Sequence, residues 1–328
     1  MASNLSNTSM NDDGNTPKDS ILRIWIIIPT NIVSTACSIF YLYHLLTKKF
    51  LQNSLNNHPI IIILINILFT QLIDVPFYVN YLYFGYVWSQ TESFCVFWWN
   101  IDEITFQIMI TIIAEASCER HILIFHEKLL ATQKKRIFFH YIPLLISTIY
   151  SIAFFVLSQL FVTCDLSSSY DYTQPWCDYS PCFDNIDWLS DLSFFLNTFA
   201  FSILSIIFDI ALIFRVVRHR RRLLHQPITW RKHLKMTIQL LSVSVFCSIF
   251  NVPMILCLLL IYCGVSPDIN VKTLLDLYFI SFFSMLFLPI VMTGSLPKEY
   301  WWGKWYAKLL NSRRRQRLIV PRTLIYTK

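Results

Sequence analysis

The residues able to do chemistry in this chain are few, and most are acids placed where acids are costly. Asp74, Asp102, Glu103, Glu115, Asp209 and Asp276 interrupt stretches that are otherwise apolar. Placing a charge in such surroundings costs a few kcal/mol or more, so each acid marks either a binding function or a need for a partner. A further acid, Glu119, directly precedes Arg120 and His121, and a buried Arg is expensive unless it is paired. Cys95, Cys164, Cys177 and Cys182 form a separate group whose thiols can form disulfides if they face an oxidising compartment. Zinc-type spacing, a phosphate-cradling glycine loop and a nucleophile motif are all missing from the sequence. An enzyme is therefore not expected, and no cofactor or metal is implied.

The elements that must position these groups are membrane spans. Of 328 residues, 55% are hydrophobic and 14% charged, whereas soluble domains carry about 25% charged residues. Five glycines and 16% aromatic content exclude collagen-like and disordered chains. A spanning helix needs about 20 mainly apolar residues, because its backbone polar groups must be satisfied inside hydrocarbon. Seven stretches qualify, near Ile21 to Leu46, Pro59 to Phe84, Cys95 to Phe125, Ile137 to Phe161, Trp188 to Val217, Leu234 to Cys263 and Thr273 to Thr293. No long linker or internal repeat separates them. The expected fold is an all-α membrane protein, a seven-transmembrane helix bundle.

Charge in the loops orients the bundle, since Lys and Arg are retained on the cytoplasmic side. One face holds 24 of the 27 Lys and Arg. The opposite face has only Lys18, Arg23 and Lys272, and its longest loop carries Asp165, Asp171, Asp178, Asp184, Asp187 and Asp191. The N-terminus is therefore expected outside and the C-terminus inside, in the plasma membrane. Residues 1–20 read as an extracellular tail glycosylated at Asn4 and Asn7, which begin two sequons. The tail lacks a cleavable signal, so the first span serves as the anchor. Residues 21–296 form the membrane domain. In residues 297–328, Trp301, Trp302, Trp305, Tyr306, Leu309 and Leu310 recur near helical spacing among Lys304 and Lys308. That pattern predicts a short amphipathic eighth helix followed by a basic tail. The net charge of +7 thus labels topology. Its expected partner is a bilayer with an anionic inner leaflet, and no nucleic acid is implied.

Trp88 lies seven residues before Cys95, and Cys95 lies 25 before Arg120 within Glu119-Arg120-His121. In a seven-span chain with an outer N-terminus, this spacing resembles the rhodopsin-like (class A) family of G-protein-coupled receptors. The resemblance covers roughly residues 21–310. It implies an extracellular ligand and a heterotrimeric G-protein as partners. It also implies that Arg120 is held by Glu119 at rest, and that Pro253 and Pro289 act as hinges. A disulfide from Cys95 to Cys177 or Cys182 is implied too, leaving Cys164 for the other. Departures from the family mark a divergent member. Asn251 stands two residues before Pro253 where the family has Trp, Leu288 precedes Pro289 where it has Asn, and Ile67 occupies the sodium-site position. The fourth span has no Trp and the fifth no Pro. Phe282, seven residues before Pro289, replaces the Schiff-base Lys of similar opsins, so a retinal pigment is disfavoured.

Asp102 lies seven residues, two helical turns, after Cys95. In similar amine-binding receptors an Asp at this separation pairs with the ligand's ammonium. The ligand is accordingly expected to be a cationic amine or basic peptide held by Asp102 with Glu103, Asp74 and Asp276. No Lys or Arg in the outer halves of the spans is expected to neutralise Asp74, Asp102 or Asp276. Asp209 is expected to pair locally with Arg215 and Arg218. The alternative is a seven-helix transporter that uses the intramembrane acids for ions or protons.

Overall fold

The computed structural model describes residues 17–48, 57–125, 132–162, 170–223, 228–265 and 271–294. Among these residues there are ten α-helices and no strand. They are α1 (Pro17–Thr47), α2 (Asn57–Leu72), α3 (Asp74–Phe84), α4 (Glu92–Phe125), α5 (Gln133–Arg136), α6 (Ile142–Phe161), α7 (Asp187–Leu192), α8 (Phe201–Leu223), α9 (Ile228–Tyr262) and α10 (Val271–Gly294). Six helical stretches, Ser20–Thr47, Asn57–Phe84, Gln133–Phe161, Asp187–Arg215, Leu241–Tyr262 and Lys272–Gly294, are long and apolar enough to cross a bilayer. The architecture is that of an all-α, multi-pass membrane protein. The expected glycosylation sites Asn4 and Asn7, Cys164 and the eighth helix all lie outside the described residues.

At 34 residues, α4 is also long enough to span, but it carries Glu92, Asp102, Glu103, Glu115, Glu119 and Arg120. Its position accounts for that polarity. It packs against α2, α6 and α8, and α1, α10, α9 and α8 continue the ring around it. A helix enclosed by others can carry polar groups provided that its neighbours satisfy them. The outer surfaces of the remaining helices are apolar, with Trp25, Ile32, Leu145, Ile146, Phe161, Ile207 and Ile210 all exposed.

Lipid tails are as apolar as Leu, so packing and polar contacts, rather than the hydrophobic effect, must hold such helices together. Gln71 on α2 donates through Nε2 to Ser34 on α1 at 2.6 Å and accepts from Ser38 at 3.2 Å. Asn66 on α2 donates to the Thr105 carbonyl on α4 at 2.7 Å. Tyr41, Leu45, Ile63, Met109, Ile112, Leu288 and Met292 pack into one buried cluster between the helices.

Local sequence accounts for the irregularities. Pro76 has no N–H for the Leu72 carbonyl, and its ring crowds that group. The second span breaks between Leu72 and Asp74 and restarts as α3. Pro143 follows a π-helical turn, Ile137–Tyr141, at the base of α6. Pro29, Pro253 and Pro289 are accommodated inside α1, α9 and α10. The fifth span has no proline and instead widens into a π-helix over Ser193–Ala200. Such a widening re-aims backbone groups. Here the Asn197 carbonyl accepts from Gln107 of α4 at 3.1 Å, while Tyr150 of α6 donates to the Asn197 side chain at 2.6 Å.

Candidate functional site

A chamber is built on α3 and α4 and covered by the loop that follows α6. Gly85 ends α3 in the left-handed conformation, φ 73°, and its N–H reaches back to Tyr81. A residue with a Cβ adopts that conformation only under strain. Cys95 at the start of α4 is bonded to Cys177, so the expected disulfide is present and its partner is Cys177. Cys182 is disulfide-bonded as well. The covering loop is tied down at further points. Val87 N–H donates to the Tyr172 carbonyl at 3.0 Å, and Asp171 N–H donates to that of Cys177 at 3.0 Å.

Three consecutive residues in this loop, Trp176, Cys177 and Asp178, have φ of 52°, 59° and 49°. Left-handed backbone costs an ordinary L-residue about 1–2 kcal/mol, so something must hold the segment there. The disulfide does, and so does the Trp176 ring. It meets Tyr278 edge-on at 4.6 Å between centroids, Trp98 at 5.7 Å and Tyr78 at 6.3 Å. Beneath these rings lie two carboxylates. Asp74 Oδ1 accepts from Trp98 Nε1 at 2.7 Å, and Asp102 accepts from the Tyr278 hydroxyl. Asp74 Oδ2 and Trp176 Nε1 are buried without a hydrogen-bond partner. Two carboxylates hydrogen-bonded only to neutral donors, roofed by aromatic faces, have the chemistry that attracts a cation.

One expectation about this end needs correction. Asp276 is not an unpaired ligand-binding acid, because the Arg23 guanidinium forms an ion pair with it while lying 4.9 Å from the Phe279 ring centroid. A cation at the same end of the bundle therefore does neutralise one of the three acids. Glu103, half-buried one residue beyond Asp102, has no hydrogen bond or ion pair among the described residues and stands close enough to Asp102 and Asp184 for their charges to act on it. In the covering loop, packing pushes the Asp184 carboxyl up to about 6, although its side chain reaches water and Ser180 donates to it. Asp178 is raised first by burial and then by the charge on Asp171.

No family model matches the chain, and no curated protein matches it either.

Toward the C-terminal end of α4, Glu119, Arg120 and His121 are all buried, but they face different helices. Arg120 Nη1 lies 3.7 Å from Asp209 Oδ1 on α8. The expected pairs of Arg120 with Glu119, and of Asp209 with Arg215 and Arg218, are not the ones formed. Consecutive helical residues point about 100° apart, so Glu119 is turned away from its neighbour. Likewise, residues six and nine positions apart do not share a helix face the way those at three or four do. Glu119 Oε1 instead lies 2.6 Å from His140 Nδ1, and His140 Nε2 lies 2.8 Å from His58 Nδ1. His121 Nε2 lies 2.7 Å from the Phe208 carbonyl of α8. Asp209 also accepts from Ser244 of α9, and the Ser117 and Ser205 hydroxyls lie 3.3 and 3.0 Å from that of Ser244. This polar knot joins α4, α8 and α9.

Glu115, unassigned from sequence, accepts from Ser147 of α6 at 2.7 Å. Asn251 is buried and donates to the Cys247 carbonyl at 2.9 Å and to Ser284 of α10 at 3.4 Å. Sequence reasoning missed the pairing role of Arg23, the Trp176 plug and the His58–His140 link. Arg23 left one signal, since it is a cation at the outer end of a span with Asp276 at the outer end of another.

Proposed function

We propose that this chain is a divergent rhodopsin-like G-protein-coupled receptor. In this reading α4 is a seventh span, the N-terminus is extracellular and the C-terminus cytoplasmic, and the protein resides in the plasma membrane. One observation carries the reading. A single continuous helix joins a disulfide-pinned outer chamber containing Asp74 and Asp102 to a buried Arg120–Asp209 pair. Twenty-five residues separate Cys95 from Arg120, about 37 Å at 1.5 Å per residue, enough to cross a hydrocarbon core of about 30 Å. Helix α4 can therefore carry a change at the chamber to the inner face. A ligand with a cationic group enters beside Trp176 and pairs with Asp102 and Asp74. Release of Arg120 from Asp209 then exposes a cation to a heterotrimeric G-protein. Pro253 and Pro289 supply the hinges for that movement, and the basic inner segments rest on anionic lipid.

The test is a ligand-library screen in cells carrying reporters for several G-proteins, run beside Arg120→Ala and Asp102→Asn variants. A receptor gives a ligand-dependent signal that Arg120→Ala abolishes and Asp102→Asn shifts to more than tenfold higher ligand concentration. Uptake of a labelled amine that Arg120→Ala leaves intact, without any reporter response, overturns the reading in favour of a transporter.

A further inference from the structure

Three titratable side chains from three parts of the bundle form a row near the C-terminal end of α4. His58 is the second residue of α2, His140 lies in the π-helical turn at the base of α6, and Glu119 is on α4. His58 Nδ1 lies 2.8 Å from His140 Nε2, and His140 Nδ1 lies 2.6 Å from Glu119 Oε1. Both nitrogens of the central ring are therefore at hydrogen-bonding separation from a partner, one from a second base and one from an acid. His140 and Glu119 are 1% and 5% exposed, whereas His58 is half-buried, so the row runs from the start of a helix into the packed interior. The inner contact is close but not aligned as a hydrogen bond. A turn of the Glu119 carboxyl about its terminal torsion, which is soft, brings the two atoms into line.

The groups around the row are mostly acids. Glu115, one turn before Glu119 on the same face of α4, accepts from Ser147 of α6, and both Glu115 and Cys118 stand close enough to Glu119 for their charges to interact. Tyr141 lies 4.7 Å from the His140 ring and 5.3 Å from that of His58. Lys134, Lys135 and Arg136 of α5 are exposed, and Arg120 faces Asp209.

We propose that His58 and His140 form a proton-transfer chain that carries a proton from water to the Glu119 carboxylate. Before transfer, each ring holds its hydrogen on Nδ1, His58 toward His140 and His140 toward Glu119. A proton from water bonds to His58 Nε2, the Nδ1 proton of His58 passes to His140 Nε2, and the Nδ1 proton of His140 passes to Glu119 Oε1. Each ring gains one N–H bond and loses one, so the only net change is that the carboxylate becomes a neutral carboxyl. The reverse sequence returns the proton. Imidazole suits this role because it accepts on one nitrogen while donating from the other. The chain needs only the helix packing and holds whether or not the protein couples to a G-protein.

The test drops the full chain in lipid vesicles rapidly from pH 7 to pH 4, where an ordinary carboxylate takes up a proton, and follows the carbonyl stretch of protonated carboxyls by time-resolved infrared spectroscopy. The Glu119 band is the one that Glu119→Gln removes and Glu119→Asp moves. A Gln amide holds a hydrogen bond but does not pass a proton along, so His58→Gln and His140→Gln should each slow the rise of that band about tenfold or more. Imidazole in the buffer should restore the rate in His58→Ala, where the missing ring is at the half-buried end, and should not restore it in His140→Gln. If His140→Gln does not fold, the two His58 variants decide. A Glu119 band that rises as fast in the His58 variants as in the unvaried chain, a His58→Ala rate that imidazole leaves unchanged, or no band that depends on Glu119 each overturn the proposal.

Discussion

Replacing Asp209 with Leu removes the only ion-pair partner that Arg120 has among the described residues, in a setting where Arg120 is 2% exposed. At 3.7 Å and an effective dielectric of about 20, Coulomb's law gives an attraction of about 4.5 kcal/mol. Desolvating both ions offsets much of that attraction in the intact pair. Removing one partner leaves the other desolvated and uncompensated, which costs about 3–5 kcal/mol. Asp209→Leu should therefore lower Tm by roughly 6–10 °C, taking about 2 °C per kcal/mol for a chain of this size. The double variant Asp209→Leu/Arg120→Met removes both charges and keeps apolar volume, so it should recover most of the loss. Melting of the purified protein can be followed with a thiol-reactive dye, because Cys247 and Cys257 are buried free thiols that unfolding exposes. A double variant that melts as low as the single, or lower, would refute the argument, since the single loss would then come from packing or from the Ser244 contact.

Three further outcomes follow from the same geometry. Glu119→Gln should change basal signalling less than Asp209→Asn, because Glu119 contacts His140 and Asp209 contacts Arg120; a G-protein reporter showing the opposite order would restore Glu119 as the restraint. Non-reducing peptide mapping should recover Cys95 joined to Cys177 and Cys182 joined to Cys164, and a Cys95–Cys182 peptide would contradict the loop. The Asp184 carboxyl, held at about 6 by packing, binds a proton more readily folded than unfolded. Its contribution to loop stability should therefore be greatest below the unfolded value of about 4 and fall as pH rises through about 6. Amide exchange over 182–185 should be slower at pH 5 than at pH 7 after correction for intrinsic rates.

How much was legible from sequence depended on whether the property is local. Six of the seven expected spans coincide with helices long and apolar enough to cross a bilayer, because hydropathy and helix length add along the chain. The break at Pro76 has an equally local cause, since its missing donor acts on a carbonyl four residues away. Glu119 and Arg120 show where local reasoning misleads: adjacency suggests a pair, yet the helix turns them toward different neighbours. Arg23 and Asp276 show the opposite failure, being 253 residues apart in sequence and joined only when α1 and α10 close the ring.

What the sequence alone determined was the class of the protein, an apolar all-α chain with several membrane-spanning helices, together with a list of acids that needed explaining. The tertiary structure decided which of those acids are paired. Asp276 and Asp209 meet guanidinium groups, whereas Asp74 and Asp102 meet only a Trp and a Tyr. It also chose Cys177 for Cys95, through a loop whose left-handed backbone no residue type there announces. The reason is physical: the cost of burying a charge is set by residue type and can be read in advance. The group that relieves that cost is chosen by the packing of distant helices, and that choice separates an acid held in an ion pair from one left with neutral donors.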